Sequence, residues 1–321
     1  SLVTTLPLSL RTRRASRQAR CVPSASAVLL DDERIELVQG LMRFAGSRGC
    51  KATDLSVTLD SADEAGLGII ATSDSDAGKT LLYAPLSAGV TFRGETSAEG
   101  HPWWAENAAR LCSDADLAPY VAALPSSASV GPLGLEDDTH MRTAIQYEPM
   151  VKRAIAYREE VAQCYRAMGG ADALGGASEE RFRWAVSMVR SRTFGELDKV
   201  RGSWVRTMLP LVDLANHAGS AFCNAEFLLM PEEDGLWLRT TRTIAAGEEV
   251  LINYGERSND DLYHDYGFVT PELDDEDVEL FPSTDEALEW LSGRGFGGEA
   301  QRGRALAAVA NVEESLAATG E

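Results

Sequence analysis

The sequence predicts an α+β fold: short strands in two groups, split by a long helical insert and followed by a short helical C-terminal segment. Three observations carry that expectation. Residues 55–92 and 206–269 both consist of short apolar or β-leaning runs punctuated by Gly, Pro, Asn and Asp. Residues 93–195 between them are mostly of helical pattern. The two strand-rich passages also echo each other: Asp76-Ala-Gly78 stands before Leu81-Leu82, and Ala245-Ala-Gly247 before Val250-Leu251.

Composition narrows the function classes. The chain has 321 residues, 44% hydrophobic and 25% charged, the profile of an ordinary globular protein. No run approaches the 18 or so apolar residues that a membrane span needs. The formal net charge is −20. Residues 1–30 hold five arginines and no acid, so the remaining body is more acidic still. Such a body repels phosphates and favours basic protein targets, which argues against direct nucleic-acid binding. The five cysteines are scattered and form no Cys-x-x-Cys pair, so neither a zinc site nor a disulfide framework is expected, and no metal.

Residues 1–30 are rich in Ser, Thr and Arg and lack acids, the composition of an organellar transit peptide or of a disordered basic tail. Residues 31–54 open with an amphipathic helix to Ser47, where Ile35, Val38, Leu41, Met42 and Ala45 keep helical spacing. Within 55–92, Gly66-Leu67-Gly68 begins a short apolar run, and Asp76-Ala-Gly78 turns into another. In the insert, helices are expected over 103–111, 115–124, 149–168 and 178–192. Ser178 caps the last, ahead of Glu179 and Glu180. A Gly- and Pro-bearing surface loop is expected over 126–135. In the strand-rich part, 196–270, Ala225–Met230 and residues 236–240 flank a turn at 231–235, and 250–253 reads as a strand. Residues 271–321 start with six acids among eleven residues and continue as two short helices, 285–291 and 301–318.

Polar and aromatic residues gather where the late strands end, a common setting for a ligand site. They are Asp213-Leu-Ala-Asn216-His217, then Ile252-Asn-Tyr254-Gly, Ser258-Asn259 and Tyr266-Gly267-Phe268-Val269. This ordered set, preceded by Ser191-Arg192-Thr193-Phe194, resembles the SET domain, in the branch of the plant Rubisco large-subunit lysine methyltransferases. Gly66-Leu67-Gly68 with the following turn resembles the N-terminal part of that domain, and 93–195 its helical insert. The resemblance covers roughly residues 50–270. It implies a split SET domain, a knotted β-fold of short strands, which moves a methyl group from S-adenosylmethionine (AdoMet) to a lysine.

The resemblance also implies roles. Tyr254 is the catalytic candidate and touches the cofactor as well. Asn216 and the backbone of His217 hold the cofactor's amino-acid and adenine ends. Leu67 and Gly68 approach it through backbone, Arg192 pairs with its carboxylate, and Phe268 lines the adenine pocket. Ser191, Phe194 and Tyr266 face the acceptor. The actin-histidine branch carries an amide-bearing residue at the position of Phe194, so Phe194 favours lysine. On the residues alone, Asn216 could instead occupy a left-handed turn, Asp213 could cap a turn or pair with Arg192, and Arg192 could complement a helix dipole. Tyr266 and Phe268 read as alternate positions of one strand.

The expectation is an AdoMet-dependent protein-lysine N-methyltransferase with a non-histone organellar substrate, in chloroplast or mitochondrion, with the resemblance favouring the chloroplast. The alternative is a SET-derived scaffold in a larger plastid assembly such as the plastid RNA polymerase. The family's C-terminal helical domain is larger than 271–321, which leaves the substrate open.

Overall fold

The first helix, α1 (Asp32–Ser47), buries Leu41 and Ala45, one turn apart, and stacks Phe44 on Tyr120 at 6.3 Å. The structure is a computed structural model and describes residues 32–59, 67–125, 148–255 and 257–270. After α1 come β1 (Lys51–Ala52), β2 (Leu55–Leu59), β3 (Leu67–Ala71), β4 (Thr80–Pro85) and β5 (Val90–Arg93). The insert supplies α2 (Trp103–Ser113), α3 (Ala118–Ala123), α4 (Glu148–Ala167), α5 (Gly170–Ala173) and α6 (Glu179–Arg192). Then follow β6 (Phe194–Asp198), β7 (Ser203–Met208), β8 (Asn216–His217), β9 (Ala225–Met230), β10 (Gly235–Thr240), β11 (Leu251–Ile252) and α7 (Asn259–Tyr266).

The strands form four small sheets, ordered β1-β4-β10-β9, β5-β7-β6, β2-β3 and β11-β8. Two of these cross the insert. β4 pairs antiparallel with β10, setting Leu82 opposite Leu238 and Ala84 opposite Leu236, all four buried. β5 pairs with β7 from Val90↔Met208 to Arg93↔Val205. The strand groups on either side of the insert therefore share one core, and α6 packs the buried face Phe182, Ala185, Val186 and Val189 into it. Ser178 caps α6 as its sequence predicts, its Oγ accepting from Arg181 N at 3.1 Å.

The sequence echo is a contact in space. Ser75 and Ile244 exchange both backbone hydrogen bonds, each 2.9 Å. Gly78 N donates to Thr240 O and Gly247 N to Ala71 O, each 2.8 Å. Both glycines are left-handed, at φ +83° and +84°, where a side chain would be strained. Each turn thus closes on the strand preceding the other.

Several elements differ from expectation. The β6–β7 hairpin carried no clear strand signal, because three of its first five residues are exposed and polarity does not alternate. Residues 115–124 split into a 3₁₀ turn (Ala115–Leu117), capped by the Asp114 carboxylate, and α3. The strand over 250–253 shrinks to β11, preceded by a single bridge between Glu249 and Ile70. The N-terminal 30 residues, the loop over 126–135 and the segment 271–321 lie outside the described residues.

Candidate active site

The Asn-His pair and the approach to Tyr254 run side by side. β8 pairs parallel with β11, with Asn216 opposite Leu251 and His217 opposite Ile252. Asn216 is thus extended rather than left-handed. Tyr254 follows two residues after β11. Its backbone N–H donates to His217 Nδ1 at 3.2 Å, which puts the proton of the neutral imidazole on Nε2. Its hydroxyl donates to the carbonyl of Ala215 at 2.9 Å.

Four rings close around this point. Tyr254 lies 4.8 Å from Tyr266 and 5.1 Å from His217, and Phe268 lies 5.8 Å from His217. Tyr266 and Phe268 do not share a strand. Tyr266 ends α7, Gly267 caps the helix in the left-handed region at φ +81°, and Phe268 follows the turn, with the two rings 6.1 Å apart. The signature was present in the sequence: Ser258 stands three residues before Asp261 and caps α7, and glycine follows its last turn.

Arg190, Ser191, Arg192, Phe194, Tyr254 and Tyr266 share a cavity of about 500 Å³ with Asp213, Ala215, Arg206, Arg257 and Asp265. Ser191 turns its hydroxyl back onto the Ser187 carbonyl at 2.8 Å, so its wall contribution is small and polar. Phe194 packs edge-on against Phe227 at 4.9 Å, giving an apolar side. Leu67, Gly68, Asn216, His217 and Phe268 stand outside this lining; the last two meet it through the ring of Tyr254.

Arg192 and Asp213 meet. Arg192 Nη1 donates to the Asp213 carbonyl at 2.8 Å and stands 3.8 Å from its Oδ2. The same Oδ2 accepts from the Tyr120 hydroxyl at 2.8 Å. Burial pushes the Asp213 carboxyl up to about 6, although the Arg192 charge and the Tyr120 hydrogen bond pull it down. A raised carboxyl stabilises the fold fully only below the unfolded value near 3.9, and that stability is lost as pH rises through 6. Relative to Asp213→Asn, the wild type should therefore lose about 2 kcal/mol between pH 4 and pH 7. Denaturant unfolding of both proteins at several pH values measures this, and parallel curves would refute it.

Asp265 behaves oppositely. Burial pushes it up, but the hydrogen bond to His264 and the charge of Arg190 outweigh that and hold it at about 2. It takes Arg190 at 3.3 Å and Arg257 at 3.6 Å, and Arg257 lies over the Tyr266 ring at 5.4 Å. Sequence reading missed Tyr120, Arg190, Arg206, Arg257 and Asp265. Each is an unremarkable charged or aromatic residue until the fold brings it to the cavity or, for Tyr120, to Asp213 in its lining.

Residues 66–255 match the family model described as SET domain. The chain belongs to the SET domain family. Curated relatives of this SET domain include actin-histidine N-methyltransferase from Canis lupus familiaris and from Homo sapiens, each 26% identical over 268 residues. Those alignments cover 75% of this chain and 44% of each relative, so the chain spans less than half the length of the curated relatives it matches. Among solved structures, the SET domain of LSMT bound to lysine and AdoHcy aligns at 20% identity with a TM-score of 0.57, over 81% of this chain and 65% of that one. Rubisco LSMT bound to AdoMet aligns at 20% identity and TM-score 0.57, over 81% and 64%. These establish the expected SET fold for the short strands and their helical insert.

The site of this SET domain fits an amino-acid-bearing nucleoside. Arg192 Nε, Asp213 Oδ1 and Thr193 Oγ1, all on cavity-lining residues, are buried with no hydrogen-bond partner among the described residues. Gly68 leaves no room for a side chain: a Cβ there would stand 2.8 Å from Glu249 Oε1 and 2.9 Å from Asn216 Nδ2. Both obstacles are ends of flexible side chains, so Gly68→Ala should fold with its melting temperature changed by only a few degrees. It should nevertheless displace Asn216 and weaken binding of AdoMet about 10-fold or more, roughly the value of one hydrogen bond to a charged group. Calorimetry on the variant decides; unchanged affinity would separate Gly68 from the cofactor.

Proposed function

We propose that this SET domain transfers a methyl group from AdoMet to a lysine of a non-histone organellar protein. The observation that carries the reading is the Tyr254 hydroxyl set on the Ala215 carbonyl, in the wall of a cavity that also holds Arg192 and Phe194. When bound, AdoMet supplies an electrophilic methyl on a cationic sulfonium. The chain's own residues then have two tasks, to hold the acceptor in line and to keep it unprotonated.

Tyr254 and the Ala215 carbonyl provide a hydroxyl and an oxygen at one point, suited to receive the hydrogens of an amine while its lone pair stays available. Arg190, Arg192, Arg206 and Arg257 line the cavity against two carboxylates, Asp213 and Asp265, so the lining is positive in balance. Charge of that sign disfavours an ammonium and lowers the amine pKa from about 10.4, at which only about one lysine in a thousand is neutral at pH 7.4. Arg192 would take the cofactor carboxylate, for which its planar fork is suited, and Asn216 would hold the same end. His217 and Phe268 would border the adenine.

The relatives named for histidine methylation make the acceptor the open choice, and Phe194 supports lysine. Its ring, 9% exposed and packed on Phe227, offers an apolar wall for a methylene stem and no polar atom to orient an imidazole. The organellar assignment rests on the arginine-rich, acid-free residues 1–30. Titration of the purified chain with AdoMet, followed by labelling of a chloroplast extract and amino-acid analysis of the products, tests the reading. Saturable binding and labelled methyllysine are expected. Methylhistidine would move the acceptor assignment, and no binding by folded protein would leave a scaffold in a plastid assembly as the reading.

A further inference from the structure

Glu249 sits where the two strand groups meet. Its neighbour Val250 donates to the Ile69 carbonyl at 2.8 Å, and Glu249 itself bridges to Ile70, so its backbone is pinned beside β3. Two residues on, Leu251 lies opposite Asn216 in the β8–β11 pair. The half-buried Glu249 side chain turns toward that strand. Its Oε1 accepts from Asn216 Nδ2 at 2.9 Å and stands over the bare Cα of Gly68. A carboxylate, a primary amide and an uncovered backbone therefore converge on one small space. Glu248, next in the chain, is differently employed: it takes Arg242 at 2.7 Å and Asn224 at 3.2 Å in the outer turn.

We infer that Glu249 is a further cofactor-binding residue, its carboxylate taking the α-ammonium group of AdoMet. The inference rests on the reading of Asn216 as holding the cofactor's amino-acid end. An α-amino acid presents both charges on one carbon, so a site for it needs an anion close to its cation. Arg192 reaches the Asp213 carbonyl, three residues before Asn216, and Glu249 reaches Asn216 itself. The segment from Asp213 to Asn216 thus has a guanidinium at one end and a carboxylate at the other. Asn216 completes the set from between, since its amide oxygen can accept from the ammonium while its Nδ2 donates to Glu249. Glycine at 68 lets this pair lie against the backbone, because a Cβ there would stand 2.8 Å from the carboxylate and 2.9 Å from the amide.

A ligand and a residue varied together test this. Glu249→Gln keeps an oxygen that accepts from Asn216 and removes only the charge. Wild type and variant are titrated calorimetrically with S-adenosylhomocysteine and with its analogue lacking the α-amino group. The wild type should bind the analogue about 10- to 100-fold more weakly than the parent, the range of a charge-assisted hydrogen bond. In the variant most of that difference should go, leaving only the few-fold preference that the Asn216 amide oxygen supplies. If the variant distinguishes them as strongly as the wild type does, the assignment of Glu249 is wrong while Asn216 keeps its role. If the folded wild type binds neither ligand, the cofactor reading itself falls, and this inference with it. Matching melting temperatures for the two proteins show that the comparison is between folded states.

Discussion

Tyr254→Phe should lower methyl transfer by about 10²- to 10³-fold while leaving AdoMet affinity within about 2-fold of the wild type, the pattern for loss of a positioned hydroxyl. The ring is held independently of the hydroxyl, by Tyr266 at 4.8 Å and His217 at 5.1 Å, and the backbone N–H keeps its bond to His217. Phenylalanine therefore fits the same space. What goes is the hydroxyl that donates to the Ala215 carbonyl at 2.9 Å and would orient the incoming amine. Single-turnover rates beside calorimetric affinities separate the effects. Equal transfer by both proteins would remove Tyr254 from the mechanism, and a parallel fall in affinity and rate would make it a binding residue.

The largest effect on stability is expected at a position outside the cavity lining. Gly89 is buried just before β5, and a Cβ added there would stand 2.1 Å from the carbonyl oxygen of Met208 and 3.1 Å from the Leu209 Cα. Both obstacles are backbone, and Met208 is the residue paired with Val90. Gly89→Ala can be accommodated only by prising β5 from β7, which should cost about 3 kcal/mol or more. For a domain of this size that lowers the melting temperature by roughly 6–12 °C. Thermal unfolding followed by circular dichroism measures it, and a change under about 2 °C would mean that the β5–β7 contact yields easily. Gly68→Ala makes the contrast: there the obstacles are side-chain ends, and the damage falls on binding rather than on the fold.

What could be read from the sequence follows physical rules. The helix α6, with a full apolar face and a proper cap, stood out because periodicity and Ser178 signal the same element twice, and α1 stood out by periodicity alone. Asn216, His217 and Tyr254 stood out because their ordered set at the strand ends resembles that of the SET domain. The β6–β7 hairpin did not, since its exposed residues break the alternation that marks a half-buried strand. Nor did β8, a strand of two residues that exists only through its pairing with β11, 35 positions further along the chain. Tyr120 and Asp265 were invisible for a related reason: one waits for Asp213 and the other for Arg190 and Arg257, all distant in the chain or on another element. Glu249 lay in plain sight beside Gly247, yet an acidic residue in a turn is ordinarily solvated, and only the pairing with Asn216 shows otherwise.

The exchanged hydrogen bonds around Ser75 and Ile244 have the form of an isologous interface, the self-complementary contact that two identical subunits make about a two-fold axis. Here residue i of one half meets j of the other, and the equivalent of j meets the equivalent of i, within a single polypeptide. The SET core is in this sense an internal dimer, with the helical insert as the tether between its protomers. Because the axis lies in the backbone of two turns, the halves meet at this point without using any side chain of the insert.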